Sequence, residues 1–366
     1  MYLPIVLVRD FGAAGWWAFA VPNVIGAAAM GWVLTAGREG KSPDRSRVIT
    51  RDHSLACVVF SMVTIAFHAF FLPWKFGWPG MIAIAPALVL ALSVKKDVDA
   101  CLAALLTWLI SAGALVYLAS RGDLAPMNFV QFNGDGWSAL SLAAPCVFGF
   151  LLCPYLDLTF HRARQSLTTN AQARLAFTLG FGVLFLLMII ATPLYGGLLA
   201  SLASTTLYAA VALIVHVSMQ AALTVALHAR AIQTSHRSIS MTALAIAIGF
   251  AAYGGLLGLE KFGFTHYAGL QTGEVIYRLF MSFYGLVAPA YVLLVMTRGT
   301  PLRTNLIVCL VAILLALPFY WVGFIERQMV WVVPGVLVVV LARFFSRPTG
   351  GLQNDGISIK DGTIKI

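Results

Sequence analysis

The chain has 366 residues, of which 60% are hydrophobic and only 10% charged, against about 25% charged in an average soluble domain. Its 24 Lys and Arg outweigh 14 Asp and Glu, for a formal net charge of +10, and its mean hydropathy is +0.88. So few charged groups cannot cover a soluble protein of this size, which leaves lipid as the solvent for most of the chain.

The basic residues sit in short loops between apolar runs, so they read as a topology signal and not as a nucleic-acid surface. Cys57, Cys101, Cys146, Cys153 and Cys309 all fall in apolar runs without metal-ligand spacing, and read as reduced packing residues. No metal site or cofactor is expected.

Tyr2 to Val8 is apolar but too short to cross a bilayer, which takes about 20 residues. It carries neither the basic region nor the cleavage site of a secretory signal. Apolar segments follow at 12–35, 54–74, 78–94, 98–120, 137–158, 174–197, 203–229, 240–259, 275–297, 305–324 and 328–346. They are continuous and not alternating, which excludes a membrane β-barrel. The fold class is therefore all-α: a polytopic transmembrane helix bundle over 1–346 with about eleven spanning helices.

Alternate loops differ sharply in charge. One set holds eighteen basic residues, among them Arg38, Arg51, Lys96, Arg162, Arg230 and Arg298. The other holds six, namely Arg9, Lys75, Arg121, Lys261, Arg278 and Arg327. The positive-inside rule then predicts a protein of the cell inner (plasma) membrane with a cytoplasmic C-terminus. In the tail, 347–366, GISIKDGTIKI alternates about Asp361-Gly362 and carries a hairpin signal, with a frayed tail as the alternative.

On this topology Met1 to Val8 reads as the outer end of an earlier helix, or as an extension lying at the interface. Counted as a helical stub, it completes two five-helix groups of opposite direction, the 5+5 inverted repeat of many secondary transporters. Two segments carry a resemblance: YLPIVLVRDFGAAGWWAFAVPNVIGAAAMGWVL, with its aromatic–glycine turn and small-residue helix, and GFLLCPYLDLTFHRARQSLTTNAQAR at 149–174, with glycine and proline before a basic loop. Together they resemble the sodium/solute symporters, and segment order extends the likeness over most of the chain. The resemblance implies a leucine-transporter-type fold carrying a small organic solute. The alternative is a non-transporting sensory or partner-binding subunit on the same fold, with its partner protein unknown. A membrane enzyme is not expected, because the sequence carries no catalytic constellation.

The helix at 137–158 contains Pro145, Gly149 and Pro154, and broken helices of this kind build midplane sites. Ser138, Cys146, Gly149, Cys153 and Tyr155 are its candidate solute contacts, and a plain proline kink is the alternative. The span 203–229 adds His216, Ser218, Gln220 and Thr224 near mid-depth. The resemblance implies that Ser218 supplies a sodium-site hydroxyl, although Met219 replaces the hydroxyl residue expected beside it. Asp157 with Arg162 reads as a gate ion pair or a loop anchor. His68 reads as a packed neutral side chain, and a proton (H+) pathway becomes plausible if it approaches His216. Expected partners are thus the lipid bilayer, a small-molecule solute, and Na+ or H+. Helices 137–158 and 203–229 are expected to face each other across a cavity. Asn23 is the residue of the first span suited to face that cavity, while Gly26 to Gly31 allow close helix packing. Trp16, Trp17, Trp74, Trp78 and Trp137 are read as an interfacial belt.

Overall fold

A computed structural model describes residues 2–35, 44–94, 96–129, 136–200, 202, 205–232, 238–299 and 301–348. Nearly all regular structure there is helical. In chain order the helices are α1 (Leu3–Val33), α2 (Arg45–Asp52), α3 (Ser54–Phe76), α4 (Trp78–Ile82) and α5 (Ile84–Ser93). Then come α6 (Asp97–Arg121), α7 (Gly136–Leu152), α8 (Leu158–Gln165), α9 (Asn170–Leu179) and α10 (Leu186–Ala200). The rest are α11 (Leu207–Ile232), α12 (Ser238–Lys261), α13 (Thr272–Ser282), α14 (Ala288–Leu294), α15 (Arg303–Tyr320) and α16 (Val332–Ala342). Two-residue strands, β1 (His266–Tyr267) and β2 (Leu270–Gln271), pair as a hairpin before α13.

Among the described residues, nine helices are long and apolar enough to cross a membrane. The predicted segments 78–94 and 328–346 correspond to shorter apolar helices, Trp78–Ser93 and Met329–Phe345, so the eleven predicted segments resolve into nine long helices and two shorter ones. The predicted tail hairpin lies outside the described residues.

α1 is two helices. At Gly12 the backbone takes φ 58°, ψ −146°, a region open essentially only to glycine, and the chain reverses. Gly15 consequently stands against the carbonyl of Leu7, eight residues earlier, where a straight helix would put them about 12 Å apart. The Tyr2–Val8 stretch is therefore no interfacial extension. Ile5, Val6, Leu7 and Val8 are buried inside the bundle, where they join two apolar clusters. The same turn recurs between α3 and α4. Gly77 has φ 61°, ψ −139°, and Gly80 stands against the carbonyl of Leu72. Both turns read Leu-x-x-x-Phe-Gly-x-x-Gly.

Beyond its turn, α1 packs along α7 and α9. Gly26 lies against the Phe150 backbone and Gly31 against that of Ala173, the close approach expected of a small-residue face. α3 packs along α12, α11 packs along α5 and α6, and α3 and α11 also touch. α15 and α16 pair at the side of α7.

Hydrogen bonds sort the helix ends into two groups. At one end Arg164, only 1% exposed, donates to the carbonyls of Leu34 (2.6 Å) and Leu167 (3.0 Å) and to Asn170 Oδ1 (2.7 Å). It thereby caps α1 and holds the α8–α9 connection. Its neighbour His161 is equally buried, with Ser46 Oγ of α2 3.0 Å from Nδ1 and the Tyr155 carbonyl 2.9 Å from Nε2. Arg230, Arg298 and Arg343 lie at this end too, with Arg298 Nε 2.8 Å from Ser346 Oγ and Arg343 Nη1 2.6 Å from the Leu293 carbonyl.

Burial holds the His161 imidazole below the ordinary histidine value of 6.5. Below that pH the unfolded chain takes up a proton that the docked ring does not, so the stabilisation is complete above 6.5 and is lost as pH falls below it. Acidifying from about pH 7.5 to about 5.5 should therefore lower stability through this residue. Comparing the acid dependence of unfolding for the native chain and His161→Gln checks this; identical slopes would refute it.

At the opposite end the network is ionic. Arg9 Nη1 and Nη2 grip Glu274 at 2.9 and 2.7 Å, and Arg9 Nε meets Asp10 at 2.8 Å. Arg278 donates to Glu274 Oε1 from Nε (3.0 Å) and Nη2 (2.8 Å), to Asp10 Oδ2 (2.5 Å) and to the Phe324 carbonyl (2.9 Å). Two cations and two anions thus join the α1 turn to α13. Trp74 is also packed at this end, against Gly273, while Lys75 donates to Tyr2 (2.9 Å) and lies over its ring. Trp17, Trp78 and Trp137 are exposed as a belt requires, whereas Trp16 is buried beside Phe19 in the core.

Candidate functional site: a central cavity between interrupted helices

Two helices lose regularity at the same place. α7 carries Pro145 and ends in a 3₁₀ turn, Cys153–Tyr155, around Pro154. Between α13 and α14 the chain widens into a π-turn, Phe283–Val287. Irregular turns redirect backbone carbonyls. The carbonyl of Tyr284 accepts from Cys153 Sγ (3.0 Å) and that of Gly285 from the Tyr320 hydroxyl (2.7 Å). Gly149 faces the Tyr284 carbonyl, where a Cβ would lie 3.0 Å from the oxygen.

Beside this junction is a cavity of about 400 Å³. Its wall is mostly aromatic and aliphatic, with Phe19, Phe60, Phe67, Phe150, Tyr277 and Tyr284 prominent. Polar groups enter from several elements: Asn23 of α1, Thr64 and His68 of α3, Asp157 before α8, and Gln220, Thr224 and His228 of α11. A small set of polar groups in an apolar concavity suits orientation of one small molecule. Several are already engaged. The Thr64 hydroxyl donates to the Phe60 carbonyl (3.0 Å), and His68 Nδ1 lies 2.8 Å from the Thr64 carbonyl. His228 Nδ1 lies 3.1 Å from Ser61 Oγ. Gln220 Nε2 bonds to Ser111 Oγ (2.9 Å).

Of the residues picked from sequence, Asn23, His68, Cys146, Gly149, Asp157, Gln220 and Thr224 line this cavity. Ser138, Cys153, Tyr155, Arg162, His216 and Ser218 do not. His216 is turned into the α6–α11 interface, 2.7 Å from Ser111 Oγ with its ring edge-on to Tyr195. Ser218 is buried, and its hydroxyl has no hydrogen-bond partner among the described residues. The Asp157–Arg162 pair is not formed. Asp157 caps α8, accepting from the Thr159 amide (2.8 Å) and hydroxyl (2.7 Å), and His228 Nε2 lies 3.8 Å from its Oδ2. Arg162 instead donates to the Arg230 carbonyl (2.9 Å). Asp157 is thus a loop anchor that also borders the cavity.

His228 escaped the sequence reading, though the signal was present. Val217, Gln220, Ala221, Thr224 and His228 recur at helical spacing and form one face of α11. α7 and α11 both line the cavity.

No protein-family model, curated protein or solved structure matches the chain. Helix length and composition define its class: a multi-pass helical membrane protein.

Proposed function

We propose that this chain is a carrier for a small organic solute, built on a 5+5 inverted repeat like that of the sodium/solute symporters and performing no catalysis. The central cavity beside two interrupted helices is the observation that carries this reading. Packing supports the repeat. The first group is the α1 segment before Gly12, the segment after it, α3, α4–α5 and α6; the second is α7, α9–α10, α11, α12 and α13–α14. Exchanging the groups turns the α3–α12 contact into the α11–α5 contact and maps α3–α11 and α1–α9 onto themselves, and all four contacts occur. In this reading the end bearing Arg164 and Arg230 faces the cytoplasm, and the membrane is the inner, plasma membrane.

Sodium is the coupling ion to test first, through the buried hydroxyl of Ser218. The purified protein would be melted in sodium, potassium or choline at equal ionic strength, with and without a panel of small solutes. A ligand that binds only the folded state stabilises it by about 2.7 kcal/mol at a hundredfold excess over its dissociation constant. The expected result is a sodium-specific rise abolished by Ser218→Ala, and a solute-dependent rise abolished by Gln220→Leu. If no cation or solute shifts the melt, the carrier reading gives way to that of a sensory or partner-binding subunit.

A further inference from the structure

A second cavity, of about 360 Å³, lies between α6, α8, α9 and α11. Its two ends differ in chemistry. At the helix termini it is bordered by Asp97, Thr159, Arg162 and Arg230. Deeper, its wall is Ala104, Phe177, Phe181 and Leu227. Ala104 lies two helical turns, about 10 Å, inside the start of α6, and Phe181 about 16 Å inside the start of α9. The cavity therefore runs from the polar helix ends into the apolar length of the spanning helices. Small side chains on α6 (Ala100, Cys101, Ala104) and Ala176 on α9 keep it open.

Arginines gather at its mouth. Arg230 pairs with Asp97 at 2.5 Å, a carboxylate that is 57% exposed. Arg162 forms no ion pair among the described residues, and its Nη1 donates to the Arg230 carbonyl. Two guanidinium groups, Arg162 and Arg230, thus border the mouth beside the Asp97 carboxylate. Burial and the adjacent Arg230 charge depress the Arg162 pKa, against the opposing pull of Asp97.

We propose that this groove is a binding site for an anionic phospholipid, with the phosphate held by Arg162 and Arg230 and one acyl chain lying along Ala104, Phe177 and Phe181. Guanidinium groups hold phosphate through paired, charge-assisted hydrogen bonds, and basic pockets between spanning helices suit anionic headgroups. The amphipathic gradient selects a lipid over a soluble phosphate, because half of the groove offers only apolar contact.

The test is native mass spectrometry of the full-length protein in neutral detergent. It is titrated with phosphatidylglycerol, with phosphatidylcholine of the same chains, and with glycerol phosphate. Phosphatidylglycerol should bind at least about tenfold more tightly than phosphatidylcholine, the equivalent of about 1.4 kcal/mol. Arg162→Gln should erase that preference, and Ala104→Trp should weaken both lipids by filling the deep end. Arg51→Gln, at an exposed arginine that does not line the groove, should leave the preference intact. Equal binding of the two lipids, an equal loss in Arg51→Gln, or displacement of lipid by equimolar glycerol phosphate would each overturn the proposal. Should Arg162→Gln fail to fold, alkylation of the native chain decides. Cys101 is exposed and lines the groove. Its reaction should slow in phosphatidylglycerol bilayers relative to phosphatidylcholine, and equal rates refute the site.

Discussion

Replacing Arg278 with methionine is expected to destabilise the folded protein by about 3–5 kcal/mol, the cost of removing one partner from a buried ion pair. The side chain is 6% exposed, as is that of Glu274, and Asp10 is 12% exposed. Without Arg278 these two carboxylates keep only Arg9 as an ion-pair partner among the described residues, and the Phe324 carbonyl loses its donor. One negative charge of the network then lacks its partner among largely buried groups. Arg9→Met should cost much less, because Arg9 is 45% exposed and water screens its contribution. Adding Glu274→Gln to Arg278→Met should restore part of the loss by removing the orphaned charge. Equilibrium unfolding in mixed micelles, run as a double-mutant cycle, measures all three. If Arg278→Met and Arg9→Met cost the same, the network is a surface feature and this reading of its energetics is wrong.

The second large effect is steric. An alanine at position 80 would drive its Cβ into the Leu72 carbonyl, and the obstacle is backbone, which cannot swing aside. About 3 kcal/mol of destabilisation is expected. Gly77→Ala meets no atom within 4 Å, so its cost is only the conformational one of a residue held at φ 61°, roughly 2 kcal/mol. Gly15→Ala should reproduce the steric cost at the first turn, where the carbonyl belongs to Leu7, and Gly12→Ala should cost at least the conformational amount at φ 58°. The control is Gly113→Ala in α6, which faces open space at a helical conformation and should gain about 0.5–1 kcal/mol. A melting series over these five variants checks the order, and a neutral Gly80→Ala would show that the hairpin is looser than described.

The spans were legible because their signal is one of composition summed over some twenty residues. Packing hardly alters such a sum. A break was legible where proline makes it, at Pro154, whereas α7 runs unbroken through Pro145. The phase of a helix was not. His216 and Ser218 look as suitable as Gln220 in sequence, but each residue of an α-helix turns the side chain by about 100°, so they face elsewhere. Only the packing of α11 against α3, α5 and α6 decides which stripe borders the cavity. The ionic quartet was hidden for a related reason. Arg9 and Arg278 were counted as loop charges, and their pairing joins positions more than 260 residues apart. The repeated Leu-x-x-x-Phe-Gly-x-x-Gly turn was fully present in the sequence, but its meaning lies in one backbone angle at Gly12 and Gly77, which no hydrophobic pattern reports.

The quartet also has an electrical property. The α1 side contributes Arg9 and Asp10, and the α13 side contributes Glu274 and Arg278. Each side is formally neutral by itself, not merely the sum. Displacing one unit charge through a membrane potential involves about 2.3 kcal/mol per 100 mV. Drawing the α1 turn away from α13 displaces no net charge, so the transmembrane voltage does no work on that separation. Loss of either arginine would leave a net charge on one side and make the same movement voltage-dependent.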